Sequence, residues 1–162
     1  MENQQLLEMD TQHGRYLTFA LGQESFGLEI TYVKEIVGLQ PITPLPEAPD
    51  YHKGIINLRG LVIPVVDMRL KFGMEQGVYS DRTCIIIVSI ADSSVGLIVD
   101  SVSEVLTVDD GDIVPPPDYG KGTGNRYIKA IGKVGSEVKL LLNCNTLFHV
   151  DEFDNLKDGV AS

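Results

Sequence analysis

Two stretches of this chain occur twice in the same order, and that repetition constrains the fold more than any other feature. Residues 26–37 match residues 95–106 at an offset of 69, with the apolar, glycine and glutamate positions coinciding. Residues 53–67 then align with residues 129–143 at an offset of 76. The second half is therefore seven residues longer, and the excess falls in residues 113–126, where Pro115, Pro116, Pro117, Gly120, Gly122 and Gly124 mark a long loop. Two blocks in one order with a single insertion describe a duplicated unit.

The centre of the first unit is residues 54–67. Ile55, Ile56 and Leu58 form one strand-like run and residues 61–66 another, rich in the β-branched residues that suit a pleated, half-buried surface. Arg59-Gly60 is the polar break between them. Gly60 supplies the positive φ of a tight hairpin and leaves the five-donor guanidinium of Arg59 at the rim. Pro64 lacks a ladder donor, which predicts an edge strand or a bulge. Upstream, residues 16–21 alternate, residues 22–25 turn, and residues 26–30 return as a second hairpin. Thr31 is then an N-cap for a helical turn carrying Val33, Ile36 and Val37. Pro41, Pro44, Pro46 and Pro49 impose an extended connection, Asp67 caps a brief helix over 68–72, and residues 73–81 form a loop.

The whole chain reads as one domain over 1–162, with each half carrying about five short strands and a helical turn. Small sheets of that size remove their edges by closing into barrels, so residues 15–81 are expected to form a first barrel and 82–150 a second, with a groove between them. Residues 1–14 and 151–162 are expected to be flexible ends, although Val150, Phe153 and Leu156 could dock one turn of helix.

Composition narrows the function. Thirteen basic against 23 acidic residues give a net charge of -10, which argues against nucleic acid as a partner. Cys84 and Cys144 have no further ligand at metal spacing and read as reduced thiols, which fits a cytoplasmic protein. The N-terminus lacks a basic start and an apolar segment, and no apolar run approaches the roughly twenty residues needed to enter and span a bilayer. His13, His52 and His149 are scattered, residues 120–124 lack the order of a phosphate loop, and residues 109–112 lack the spacing of a calcium loop. No catalytic constellation, metal site or cofactor motif emerges. What remains is surface: Val33, Ile36, Val102 and Val105 recur at helical spacing beside Glu35 or Glu104, and with Arg59 they would suit a helix-in-groove partner. A small-molecule or hydrolytic module using Asp67 and His52 is the alternative from another class.

From about Tyr16 to Phe148 the chain resembles the CheW family of bacterial chemotaxis coupling proteins. The likeness is carried by residues 26–30 with Val33 and Glu35-Ile36, by Lys53-Gly54-Ile55-Ile56-Asn57-Leu58-Arg59-Gly60, by Pro64-Val65-Val66-Asp67, and by residues 95–100 with Val102 and Glu104-Val105. It implies an all-β fold of two SH3-like five-stranded barrels flanking a groove. It also implies a non-enzymatic adaptor, cytoplasmic and recruited to membrane-bound chemoreceptor arrays. That adaptor would join the cytoplasmic receptor tip, a helical hairpin bundle, to the regulatory domain of the histidine kinase CheA. On this likeness Val33, Glu35, Ile36, Gly54, Asn57, Arg59, Val102 and Val105 face the receptor, Arg59 and Glu35 are placed to pair, and the kinase uses surfaces outside the groove. Gly135-Ser136 stands where Arg59-Gly60 would recur, so no second arginine site is expected.

Overall fold

Hairpins built on alternating and continuous apolar runs supply the framework. The computed structural model describes residues 13–116 and 127–147. The first hairpin is β1 (Arg15–Leu21) and β2 (Glu24–Glu29), followed by a single 3-10 turn (Ile30–Tyr32) and β3 (Val33–Gly38). After the proline-rich connection come β4 (His52–Leu58), β5 (Leu61–Asp67) and the short helix α1 (Met68–Lys71). The second half repeats this with β6 (Cys84–Ile90), β7 (Ser93–Val99), β8 (Ser101–Thr107), a 3-10 turn (Asp110–Asp112), β9 (Ile113–Val114), β10 (Ile128–Val134), β11 (Glu137–Leu142) and α2 (Cys144–Leu147). The chain ends, His149 and most of the glycine-rich loop, for which the sequence sets expectations, lie outside the described residues.

The duplication is visible in the strand registers. Leu17 pairs with Leu28 and Ile86 with Leu97, each 69 positions on. The β4–β5 ladder shifts register between His52 and Gly54, and the β10–β11 ladder shifts between Ile128 and Ala130, each 76 positions on. A bulge inherited at the same place in both copies is strong evidence of a common unit.

The copies are interlocked, and this corrects the expected division at residue 81. One sheet has the order β8-β1-β2-β11-β10-β9 and the other β3-β6-β7-β5-β4, so each draws strands from both halves. The chain crosses between sheets at Ile30–Tyr32 and again at Asp100. Each hairpin, β1–β2 or β6–β7, thus receives its third strand from the other copy. The reason lies in burial: β1 and β6 are buried on both faces. Leu17, Phe19 and Leu21 from β1 meet Ile86, Val88 and Ile90 from β6 in a central core shared by the sheets. Tyr16 faces a smaller core with Leu141, and Ile85 and Ile87 face one with Ile56, Leu58 and Val65. A strand apolar on both faces belongs in the middle of such a sandwich, and two half-units share one interior.

Both SH3-like sheets are brought round by the chain itself rather than by a continuous ladder. Beyond β3, Thr43 exchanges backbone hydrogen bonds of 2.9 Å in both directions with Ile55 of β4, at the far edge of its sheet. Beyond β8, β9 pairs with β10 in the same way, with Val114 opposite Ile131. Pro64 differs from expectation, because β5 lies between β7 and β4. The ladder to β7 begins only at Val65, so Pro64 occupies the half of β5 that is bonded on one side. Asp67 does cap α1, accepting from the Leu70 amide at 3.3 Å.

Candidate functional site

The turn between β4 and β5 places Arg59 at the mouth of one barrel. Leu58 pairs with Leu61, leaving Arg59 and Gly60 as a two-residue loop. Both have positive φ, 52° and 88°, the pattern of a type I′ turn, whereas the sequence assigns that burden to Gly60 alone. The Oδ1 of Asn57 accepts a hydrogen bond of 2.9 Å from the Gly60 amide. The Arg59 guanidinium pairs through Nη2 with Oε1 of Glu35 on β3, the pairing expected of these two residues. The pair spans the seam where β3 and β4 approach. With the arginine side chain 67% exposed, the pair adds no more than about 1 kcal/mol to stability. What it fixes is the direction of the guanidinium.

Gly54 has a structural reason to be glycine. It is buried at φ 142°, and a Cβ there would overlap the carbonyl oxygen of Thr43, the residue that bridges to Ile55. The seam beneath Arg59 therefore closes because residue 54 has no side chain.

The apolar residues named from the sequence are on strands, not helices. Val33 and Ile36 belong to β3, and Val102 and Val105 to β8. Residues three apart on a regular strand face opposite ways. Here each pair shares a face because a bulge intervenes: Val33 pairs with Val88 and Ile36 with Ile86, with the register shifting between Val33 and Glu35. In β8, Val102 pairs with Phe19 and Val105 with Leu17, with the shift between them. The Thr18 hydroxyl spans this second bulge, donating to the Glu104 carbonyl at 2.8 Å and accepting from its amide at 3.1 Å. The partners Val88, Ile86, Phe19 and Leu17 all line the central core, so these four residues lie on the inter-barrel face. Val33 and Val102 pack against that core, while Ile36 and Val105 stand 43% and 40% exposed. The two edge strands thus extend the face shared by the barrels as matching apolar ledges.

Sequence reasoning missed Leu39, Leu61 and Val62, which are exposed on β5 and just beyond β3. The signal was available: Leu61 and Val62 flank the hairpin tip, where burial by neighbouring strands runs out. The hydrolytic alternative loses its acid. Asp67 is buried, with one oxygen on the Leu70 amide and the other accepting from the Tyr79 hydroxyl at 2.7 Å. Burial and that carboxylate hold the Tyr79 hydroxyl well above the ordinary tyrosine range. In the shallow depression beside Asp67, Arg69 and Asp100 form a two-pronged pair at 2.7 and 2.5 Å. Among the described residues no cluster of His, Cys, Asp or Glu could hold a metal ion, and no helix is long and apolar enough to cross a membrane.

Interlocked SH3-like sheets with apolar ledges on two edge strands, and with Asp67 and Asp100 committed to structural bonds, define an SH3-like scaffold of two sheets. Comparison with known proteins gives the family. The CheW-like domain model matches residues 15–152. The chain is 34% identical over 146 residues to the chemotaxis protein CheW of Klebsiella aerogenes, covering 90% of this chain and 87% of that protein. It is 37% identical over 143 residues to the chemotaxis protein CheW of Rhizobium meliloti, covering 88% and 92%. The crystal structure of the scaffolding protein TtCheW from Thermoanaerobacter tengcongensis superposes with a TM-score of 0.78 at 37% identity, over 86% of this chain and 94% of that one. The chain belongs to the CheW family.

Proposed function

We propose that this protein is a non-enzymatic coupling scaffold of bacterial chemotaxis, joining the cytoplasmic tip of a chemoreceptor to the regulatory domain of the histidine kinase CheA. The observation that carries the reading is the pair of matched ledges, in which Ile36 on β3 and Val105 on β8 project from the face shared by the barrels. A helical hairpin laid along such a face offers apolar residues at i, i+3 and i+4 to both ledges. Val33 and Val102 form the floor, Ile36 and Val105 make the contact, and Glu35 and Arg59 add a polar anchor at one barrel mouth. Gly54 and Asn57 act on this surface through the backbone they shape. The kinase domain docks elsewhere on the barrels, and the complex assembles in the cytoplasm at the receptor array.

Co-sedimentation of the purified protein with receptor-tip fragments and with CheA tests this. Ile36→Asp and Val105→Asp each place a charge on one ledge, and each should weaken receptor binding at least about tenfold, since burying an unpaired charge costs several kcal/mol. Kinase-domain binding should be unchanged. Equal loss with both partners, or none with the receptor, would overturn the assignment.

A further inference from the structure

The β4–β5 turn sets arginine in a backbone conformation that L-residues avoid. Arg59 has φ 52°, and a non-glycine residue there crowds its own Cβ against the following carbonyl. The duplication offers a comparison between two turns of different kind: Arg59 and Gly60 both have positive φ, whereas in the second copy only the first turn residue does. At the equivalent place, 76 positions on, the β10–β11 hairpin carries Gly135 at φ 61°. Lys133 stands there in the position of Asn57, and lysine offers no hydrogen-bond acceptor. One copy of the hairpin therefore turns on glycine without a side-chain acceptor. The other turns on arginine and has one.

Asn57 is also out of place by strand chemistry. Asparagine is depleted in strands, yet this one sits exposed in β4, opposite Val62 and next to the buried Leu58. Its Oδ1 takes the Gly60 amide, closing a ring around Arg59 from below. Glu35 holds the far end of the same side chain.

We infer that Asn57 is a positioning residue for Arg59: its side-chain acceptor holds the left-handed turn that aims the guanidinium, and it makes no contact with the receptor itself. The inference rests on the docking face described above and names how one of its residues acts. A bidentate or stacked cation needs its direction fixed before a partner arrives, and pre-organisation of this kind gains affinity without adding a contact.

The test uses the full chain as wild type, Asn57→Ala, Asn57→Asp, Arg59→Ala and the Asn57→Ala/Arg59→Ala double variant. Two readouts are taken: amide hydrogen exchange at Gly60 in the free protein, and affinity for a receptor-tip helical hairpin. Asn57→Ala should speed Gly60 exchange about tenfold, and Asn57→Asp, which keeps the acceptor, should restore it. Asn57→Ala should weaken receptor binding, Asn57→Asp should rescue it, and in the Arg59→Ala background Asn57→Ala should cause no further loss. Unchanged Gly60 exchange overturns the inference, as do additive losses of affinity, which would put Asn57 in contact with the receptor. If Arg59→Ala alone leaves affinity intact, the docking face is wrong; Gly60 exchange and its rescue then decide whether Asn57 holds the turn.

Discussion

Arg59 and Gly54 sit within one hairpin and carry opposite kinds of constraint. Arg59 sits in a costly left-handed conformation with its guanidinium paired to Glu35, and its loss removes an exposed pair. Arg59→Ala should therefore lower stability by no more than about 1 kcal/mol in a urea titration while weakening receptor coupling. A large fall in stability would make the arginine structural instead. Gly54→Ala should behave in reverse, because its new methyl group has only the Thr43 backbone to displace. A loss of about 3 kcal/mol, read from the urea midpoint, is expected from overpacking together with the positive φ. The sequence marks both residues as special, Gly54 by its place in the repeated block and Arg59 as a charge between apolar runs. That Arg59 shares the positive φ with Gly60 was hidden, because the preference for glycine at such a position is a tendency that side-chain bonds can outweigh.

At the level of elements, the informative case is the bulged edge strand. Val33 with Ile36, and Val102 with Val105, repeat at a spacing that fits a helix face and equally fits a strand carrying one extra residue. Density of β-branched residues favours the strand, and tertiary pairing settles it, since β1 and β6 each need a third strand on their open side. In β8 the bulge is clasped by Thr18, whose hydroxyl answers both backbone groups of Glu104. Thr18→Val keeps the shape and removes both bonds, leaving a partly buried amide and carbonyl without their partner. A cost of about 1–3 kcal/mol is expected, with faster exchange at the Glu104 amide. Equal stability of the variant would mean that the bulge is maintained by ladder register alone. Pro64 teaches the related point that a strand has an edge along part of its length, which no one-residue rule can locate.

The whole molecule is held by features that join the two sheets. Asp100 lies where the chain crosses from β7 to β8, and its carboxylate accepts from Arg69 of α1 and, at 2.8 Å, from the Gly22 amide of the β1–β2 turn. Hydrogen bonding from Arg69 outweighs partial burial and holds the Asp100 carboxyl below its usual 3.8. A carboxyl depressed in the folded state contributes stability that is present above pH of about 3.8 and is lost as pH falls through its lower folded value. The difference in urea midpoint between pH 7 and pH 3 should thus shrink in Asp100→Asn; an unaltered difference would remove Asp100 from the acid response. Interlocking makes a second prediction. Fragments 13–82 and 83–147 should each lack dispersed amide resonances alone and regain them on mixing, because each hairpin needs its third strand from the other copy. A folded isolated half would show that the exchange of strands is dispensable.

Strand content, the hairpin at residues 55–66, the cap at Asp67 and the duplication itself were written in local chemistry: alternation, β-branching, turn residues and an amide-capping carboxylate act over a few neighbouring positions. Which copy lends its third strand to which hairpin, that the largest core lies between the sheets, and that Ile36 and Val105 stay exposed on the core-facing side of their edge strands were decided only by the tertiary structure. Those outcomes depend on pairing residues as far apart as Leu17 and Val105. Burial on both faces tells a strand that it must be covered, and only the folded chain determines by whom.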